Sequence, residues 1–342
     1  MTDNKLVLAY IGNGKSANRY HIPYVLQRQD NFTVKTIFSP RIHHDVWARL
    51  DGVYYTENPE DVFGDPEIDL VVVSTQMSLH YEYTKRALES GKHCLCEKPF
   101  METKAQAQEL FDLAEKKGLY CSAYQNRRYD SDFLTVQKVI ESGMLGELLE
   151  VEMHYDYYRP EVPERAVFSP YSSYLYGHGC HTLDQVISYF GKPNGIRYDV
   201  RQLLGQGRMN DYFDIDLYYK TMKVSVKSSY FRVKSRPRFV VYGKRGMFVK
   251  ETEDRQEEHL KLFYMPGQPR FGLDEPRHYG VLTYYDQDGG FHEEKVSSLA
   301  GDYGRVYDDI YECIVNGKEP VIKSWQTLFQ MEMLEEGIRN LR

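Results

Sequence analysis

Over the first third of the chain, short and continuously apolar runs alternate with helix-length amphipathic stretches. Leu6 to Ile11 and Thr33 to Phe38 are two such runs, with room for a helix between them. Leu70 to Val73 is wholly apolar, Tyr81 to Ser90 reads as a helix stopped at Gly91, and His93 to Cys96 is the next run. Strands without a polar face are covered on both sides, and their alternation with helices predicts a parallel sheet. Thr103 is placed to cap a helix whose apolar face is Ala107, Leu110, Phe111 and Ala114, with Gly118 to end it. Tyr120 to Tyr124 supplies one more strand.

A helix from about Asp130 to Ser142 follows, and after Gly146 the period changes from runs to strict alternation. Leu149, Val151, Met153, Tyr155 and Tyr157 alternate with Glu150, Glu152, His154 and Asp156; Phe213, Ile215, Leu217 and Tyr219 repeat the pattern, as do Val224, Val226 and Ser228. Period two is the mark of strands with one wet face. Gly243-Lys244-Arg245-Gly246 reads as a hairpin turn between Phe239 to Tyr242 and Met247 to Val249. The expected fold is therefore α/β: a doubly wound parallel sheet over residues 1–124, then an α+β domain over 125–342 with an open, mostly antiparallel mixed sheet. The aperiodic stretch from Pro160 to Tyr174 is expected to form a mobile loop over the site.

Composition narrows the picture. A length of 342 residues suggests about two domains, and 42% hydrophobic with 27% charged residues is a globular mixture. With 43 basic against 50 acidic residues the net charge is -7, which argues against a nucleic-acid or membrane surface. No apolar stretch approaches the about 18 residues of a membrane span, and Met1 to Lys5 lacks the layout of a signal peptide. Five cysteines, odd in number and scattered, suit a reducing compartment, so a cytoplasmic protein is expected. Thirty tyrosines could line a sugar-sized site or pack a sheet, and packing accounts for most of them.

The first strand ends in Gly12-Asn13-Gly14, with Ala17 completing G-x-G-x-x-A. The first glycine permits a tight turn, the second lets the backbone approach a diphosphate, and the small third residue permits close helix packing. A plain tight turn is the alternative. Pro23 predicts that the following helix breaks and restarts. After the second strand the chain reads Phe38-Ser39-Pro40-Arg41 with no acidic residue for a ribose 2′-hydroxyl; a hydroxyl and a guanidinium suit a 2′-phosphate, so NADP is expected ahead of NAD. Otherwise Arg41 is a solvated surface charge.

Lys98, in Glu97-Lys98-Pro99, lies at the carboxyl edge of the parallel sheet, where it can donate to a substrate oxygen or help relay a proton; the bland reading is a surface lysine before a turn. Gly177 to Asp184 leads into a helix with the apolar stripe Leu183, Val186, Ile187 and Phe190. His181 is expected near its N-terminus, where the helix dipole keeps imidazole neutral and able to accept an alcohol proton, with Asp184 to orient it or to favour the helix start. Two structural histidines are the alternative. A metal held by His178, Cys180 and His181 lacks a further ligand, so no metal is expected.

At these residues the sequence resembles the glucose-fructose oxidoreductase and inositol dehydrogenase family, Gfo/Idh/MocA, over nearly its whole length. The resemblance is carried by Ile11-Gly12-Asn13-Gly14, Ser74-Thr75 with His80, Glu97-Lys98-Pro99 and Gly179-x-His181-x-x-Asp184. The stretches Gly14-Lys15-Ser16 through Arg19-Tyr20-His21 and Tyr124-Gln125-Asn126-Arg127-Arg128 look like a bacterial branch from which no substrate transfers. The family likeness implies a Rossmann domain followed by a mixed-sheet domain, a nicotinamide cofactor, hydride exchange with a sugar, polyol or related hydroxyl compound, and a homodimer or larger assembly.

By matching positions, Lys98 resembles the family's catalytic lysine and His181 its catalytic histidine. Motifs and resemblance together assign Gly12, Gly14, Lys15, Ser16, Ala17, Ser39, Arg41, Ser74, Thr75, His80, Glu97 and Lys98 to the cofactor, and Tyr124, Asn126, Arg128, Tyr157, His178 and Asp184 to the substrate. One departure matters: many members carry an aspartate four residues before the histidine, and this chain has Gly177. An oxidoreductase is expected, with a catalytically weak NAD(P)-binding regulator as the rival.

Overall fold

Continuous apolar strands need cover on both faces, and the computed structural model, which describes residues 5–44, 46–161 and 169–341, provides it. The first sheet contains, among the described residues, β1 (Leu6–Ile11), β2 (Phe32–Phe38), β3 (Tyr54–Thr56), β4 (Leu70–Val73), β5 (His93–Cys96) and β6 (Cys121–Ala123). All pairs are parallel, in the order β3-β2-β1-β4-β5-β6. Strand order reverses at β1, which pairs with β2 on one side and with β4 on the other through Leu8↔Leu70 to Ile11↔Val73. Every side chain of β4 is fully buried, each contributing roughly 1.5–3 kcal/mol of apolar burial. The edge strand β3 was not expected; three residues are too few to show a period.

Helix boundaries follow local chemistry. Thr103 caps Lys104–Lys117 as expected, its side chain accepting from the Gln106 backbone while Gln106 reaches back, and Gly118 ends the helix at φ +66°. The helix expected from Tyr81 spans His80–Glu89.

The second sheet holds β7 (Leu148–His154), β8 (Gly195–Arg201), β9 (Tyr212–Tyr218), β10 (Lys223–Ser229), β11 (Phe239–Gly243), β12 (Gly246–Lys250), β13 (Gly280–Tyr285) and β14 (Phe291–Val296). Their order is β14-β13-β12-β11-β7-β10-β9-β8; β7 and β10 are parallel and the other pairs antiparallel. The inward positions are the predicted ones: Val151 and Met153, Phe213, Ile215 and Leu217, Val224 and Val226 are all buried. Leu149, predicted with them, is exposed at the start of its strand. Beyond His154 the ladder continues through Tyr155 N–H to Lys227 O and Tyr157 N–H to Ser229 O. The helices Ser131–Glu141 and Cys180–Phe190 lie against strands of this sheet.

The chain forms two compact units. The first holds everything up to Asn126 together with His259–Phe271 and Tyr303–Glu332; the second holds Arg127–Glu258, Gly272–Asp302 and the chain from Met333 onward. The break expected after residue 124 lies close to the first crossing, but the two later returns to the first unit differ from a single division. They are held by burial between residues far apart in sequence: Tyr24, Leu260 and Tyr303 pack together with Tyr20, Met265 and Phe271 around them. Of the expected loop from Pro160 to Tyr174, residues 162–168 lie outside the described residues; Pro170–Ser172 is a single 3₁₀ turn capped by Ser169.

Candidate active site

The glycine turn begins where β1 runs out. Gly12 donates its N–H to Phe38 O at 2.9 Å, so the ladder continues one residue past the strand, and its φ of +109° is open only to glycine. A Cβ on Gly12 would stand 2.5 Å from the Ser74 carbonyl oxygen. A Cβ on Gly14 would meet no protein atom within 4 Å, so that backbone stays open to a ligand, and Ala17 is fully buried beneath it. This is a cradle that a dinucleotide's diphosphate fits: one glycine closes the turn against the next strand, the other bares the main chain. The following helical run is π-type over Ala17–His21 and restarts as Ile22–Val25 with Pro23 in its first turn, which is the break predicted from that proline.

The other cofactor candidates line the same carboxyl edge. Ser39 N–H bonds Thr56 O, Ser74 N–H bonds Ile11 O and Glu97 N–H bonds Val73 O, each one residue beyond its strand. Ser39 is buried, whereas Arg41 and Lys15 are exposed. Ser74 Oγ donates to Gly12 O at 3.2 Å, tying β4 to the glycine turn. His80 is buried, its Nδ1 3.0 Å from Pro99 O and its Nε2 3.2 Å from Thr75 O. It joins the segment after β4 to the corner that carries Lys98. Burial lowers its pKa, against the opposing pull of the carbonyls and of Glu97.

Glu97 is the hub of the first unit. Its Oε1 accepts from Ser16 Oγ and lies 2.9 Å from His21 Nε2, while Oε2 accepts the Lys98 backbone N–H at 2.9 Å. Behind it, His21 Nδ1 is 2.7 Å from Tyr307 OH, which lies 3.5 Å from Tyr10 OH. Burial pushes the Glu97 pKa up, but His21, Lys98 and Ser16 outweigh it and bring it down to about 2. Glu97 and Ser16, both assigned to the cofactor, thus meet each other. Tyr124, assigned to the substrate, lies tilted against His21 with ring centroids 3.9 Å apart and donates to Tyr20 O. His21 and Tyr307 were given no role from sequence; the run Arg19-Tyr20-His21 was visible, but nothing local announces a partner 286 residues away.

In the second unit His181 is buried in the first turn of Cys180–Phe190. That helix does not start in open space: a π-type turn, Leu175–Gly179, runs straight into it, and Gly179 is itself helical at φ -61°. The expectation that a free helix terminus keeps His181 neutral therefore lapses, because the terminal N–H groups lie further back. Asp184 does not orient His181 either. Both of its oxygens are taken by Arg128, at 2.8 Å from Nε and 2.7 Å from Nη2, with both residues buried. Arg128 and Asn126 share the 3₁₀ turn Asn126–Tyr129, and Asn126 is buried.

Gly177 has nothing within 4 Å of the place a Cβ would occupy. His178 and Tyr157 come together, ring centroids 4.9 Å apart, with Tyr174 also 4.9 Å from His178. Cys180 Sγ is directed at Gly177 O. Among the described residues no group of three or more His, Cys, Asp or Glu has the arrangement to hold a metal ion. Nor, among them, is any helix long and apolar enough to cross a membrane.

Comparison with known proteins agrees with this architecture. Residues 7–125 match the oxidoreductase family with an NAD-binding Rossmann fold, and residues 137–341 match that family's C-terminal alpha/beta domain. YhhX, an uncharacterized oxidoreductase of Escherichia coli (strain K12), is 46% identical over 330 residues, covering 96% of this chain and 95% of that protein. The scyllo-inositol 2-dehydrogenase (NADP(+)) IolW of Bacillus subtilis (strain 168) is 31% identical over 332 residues, 96% of this chain and 92% of that one. A crystal structure of an oxidoreductase from Bacillus cereus has a TM-score of 0.90 at 39% identity, covering 97% of this chain and 95% of that chain. Because both family regions match in order, and a relative is 46% identical over nearly the full length, the chain belongs to the Gfo/Idh/MocA family of oxidoreductases, with an NAD(P)-binding Rossmann domain at its N-terminal end.

Proposed function

We propose that this protein binds NADP(H), with NAD(H) as the second candidate, and exchanges a hydride with a CH–OH or carbonyl carbon of a sugar, polyol or related small molecule. The observation that carries the reading is the bare Gly14 backbone beside the closed Gly12 turn, on the sheet edge that also presents Lys98. Gly12, Gly14 and Ala17 would hold the diphosphate, and Ser39 with Arg41 would meet a ribose 2′-phosphate. The NADP-dependent inositol dehydrogenase among the relatives supports both the cofactor and the polyol class.

When bound, the nicotinamide supplies a two-electron hydride acceptor or donor. The chain's own residues handle the proton and the charge. In alcohol oxidation a ring nitrogen of His181 takes the hydroxyl proton, and Lys98 Nζ donates a charge-assisted hydrogen bond to the oxygen as negative charge develops there. In reduction His181 returns the proton. Glu97 fixes the Lys98 backbone, His80 fixes the following turn, and the Arg128–Asp184 pair anchors the helix that carries His181. Tyr157 and His178, both partly exposed, are the substrate-facing residues of the second unit. We also propose at least a homodimer, which light scattering at micromolar concentration checks: a monomeric mass refutes it.

The test is titration calorimetry with both pyridine nucleotides, followed by nicotinamide absorbance with a panel of sugars, polyols and keto sugars. Lys98→Ala should lower turnover on the order of 100-fold or more while leaving cofactor affinity unchanged. Near-normal turnover in that variant removes Lys98 from the mechanism, and no uptake of either nucleotide defeats the whole reading. One observation favours a rival: with glycine at 177 and Asp184 bound to Arg128, the helix lacks the family's usual carboxylate for His181. A catalytically weak sensor of NADP(H) fits that gap, and sustained turnover with any panel member excludes it.

A further inference from the structure

The second unit contains two guanidinium groups drawn onto one aromatic surface. Arg159 lies 4.3 Å above the Tyr157 ring and 5.9 Å from the Tyr230 ring, and Arg208 lies 4.7 Å above Tyr230. Tyr230 stacks on Tyr174 at 3.8 Å, and Tyr157, Tyr174 and Tyr230 surround His178 at ring distances of 4.9, 4.9 and 6.0 Å. Arg159 is exposed, and Tyr157, His178, Tyr230 and Arg208 are partly so. The surface therefore opens to solvent.

Two like charges on one ring repel, and an exposed cation–π contact returns only about 0.5–1 kcal/mol each. Two nearby carboxylates among the described residues are engaged elsewhere. Asp156 is gripped by Arg236 through two bonds of 2.9 and 2.8 Å, and Asp211 accepts the backbone N–H groups of Leu203 and Leu204. Arg208 donates Nη2 to the Glu161 carbonyl, but its Nε and Nη1 are buried and have no hydrogen-bond partner among the described residues. Buried guanidinium N–H groups without an acceptor are costly, and a carboxylate or phosphate is the planar or clustered acceptor that such a fork of donors fits. In a chain of net charge -7 such a local positive site is selective.

We propose that this is an anion-anchoring subsite, so that the substrate is a hydroxylated carbon chain bearing a carboxylate or phosphate at one end. The inference rests on the proposed function, since it takes the second unit as the substrate side. His178 and His181 are three residues apart along a helical run, so their Cβ atoms are about 5–6 Å apart. Tyr230 stands 6.0 Å from His178 and both arginines lie over Tyr230 or its neighbour Tyr157, so His178 links the arginine pair to the helical run that carries His181. The anion is held at the Arg159–Arg208 end, and the hydroxyl-bearing chain runs past His178 toward His181.

The test is titration calorimetry on the folded protein saturated with NADP+, using D-glucose, D-gluconate and D-glucose 6-phosphate as probes. At least one anion should bind tenfold or more tightly than glucose; gluconate identifies a carboxylate as the ligand and glucose 6-phosphate a phosphate. The preference should shrink in Arg208→Gln, vanish in the Arg159→Gln/Arg208→Gln double variant, and partly return with lysine at both positions. Circular dichroism establishes that each variant is folded. Equal affinity for neutral and anionic probes, absence of anion binding, or a preference that survives the double variant overturns the inference. Failure of the underlying reading looks different: no heat appears on adding NADP+ itself.

Discussion

His21 Nε2 lies 2.9 Å from Glu97 Oε1 in the interior of the first unit, and that one contact ties three parts of the candidate site together. The same carboxylate receives the hydroxyl of Ser16 from the segment after the glycine turn and the backbone N–H of Lys98. A buried carboxylate without partners would be a liability. Here its acceptor positions are filled by groups that need positioning, so the energy that keeps Glu97 ionised also fixes the lysine corner against the start of the nucleotide-binding helix.

This makes Glu97 a source of pH-dependent stability. Its pKa in the fold is about 2, below the ordinary 4.5, so its contribution is fully present above about pH 4.5 and is lost as pH falls toward 2. The shift corresponds to about 3 kcal/mol at pH 7. Glu97→Gln should be less stable by about that amount in urea denaturation at neutral pH, and the gap should narrow by about a quarter at pH 4. A gap that is constant between the two pH values breaks the link between this carboxylate and the fold.

The two glycines of the turn should fail in different ways. Gly12→Ala places a methyl 2.5 Å from Ser74 O at a backbone angle that alanine avoids, so both stability and cofactor binding should suffer. Gly14→Ala meets no protein atom within 4 Å. Its thermal midpoint should stay within a degree or two of wild type, while NADP+ affinity falls about tenfold or more because the methyl occupies the ligand's approach. If Gly14→Ala binds NADP+ normally by calorimetry, the diphosphate lies elsewhere.

How much of this was legible in the sequence depended on the range of the interactions. Leu70–Val73, the cap at Thr103 and the hairpin at Gly243–Gly246 are local patterns, and they appear where the periods place them. So do the open main chain at Gly14 and the restart at Pro23, because glycine and proline act on their own backbone. The short edge strand Tyr54–Thr56 was too brief to show a period. The partners of Glu97 and Asp184 were hidden for a different reason. His21 is 76 residues from Glu97 and Arg128 is 56 from Asp184, and no local rule says which buried charge will find which donor. The dipole argument at His181 failed because Leu175–Gly179, with two glycines, does not read as helix.

The Arg128–Asp184 pair should behave as a unit. Both residues are buried and bonded through two oxygens, so removing either charge strands the other in a medium that cannot solvate it. Arg128→Gln and Asp184→Asn should each cost about 3–5 kcal/mol, and the double variant should cost clearly less than their sum. Urea denaturation of the four proteins closes the cycle. Additive losses mean that the two side chains act independently, and Asp184 could then serve His181 after all.

The last prediction turns on the glycine that replaces the family's aspartate. Gly177 precedes His181 by four residues within one helical run, so a side chain there lies on the flank that carries the histidine. Space is not the obstacle, because a Cβ at 177 would meet nothing within 4 Å. Gly177→Asp should therefore fold normally and bring a carboxylate to His181, strengthening the imidazole as a proton acceptor. Turnover in the oxidation direction should rise several-fold, and the acidic limb of its pH profile should move up by about one unit, since the added carboxylate holds the proton on His181 to higher pH. Steady-state rates between pH 5 and 9 with the best panel substrate decide it. Should the limb stay in place in a folded variant, His181 is not the group whose ionisation sets that limb, and the proton acceptor must be sought elsewhere in the second unit.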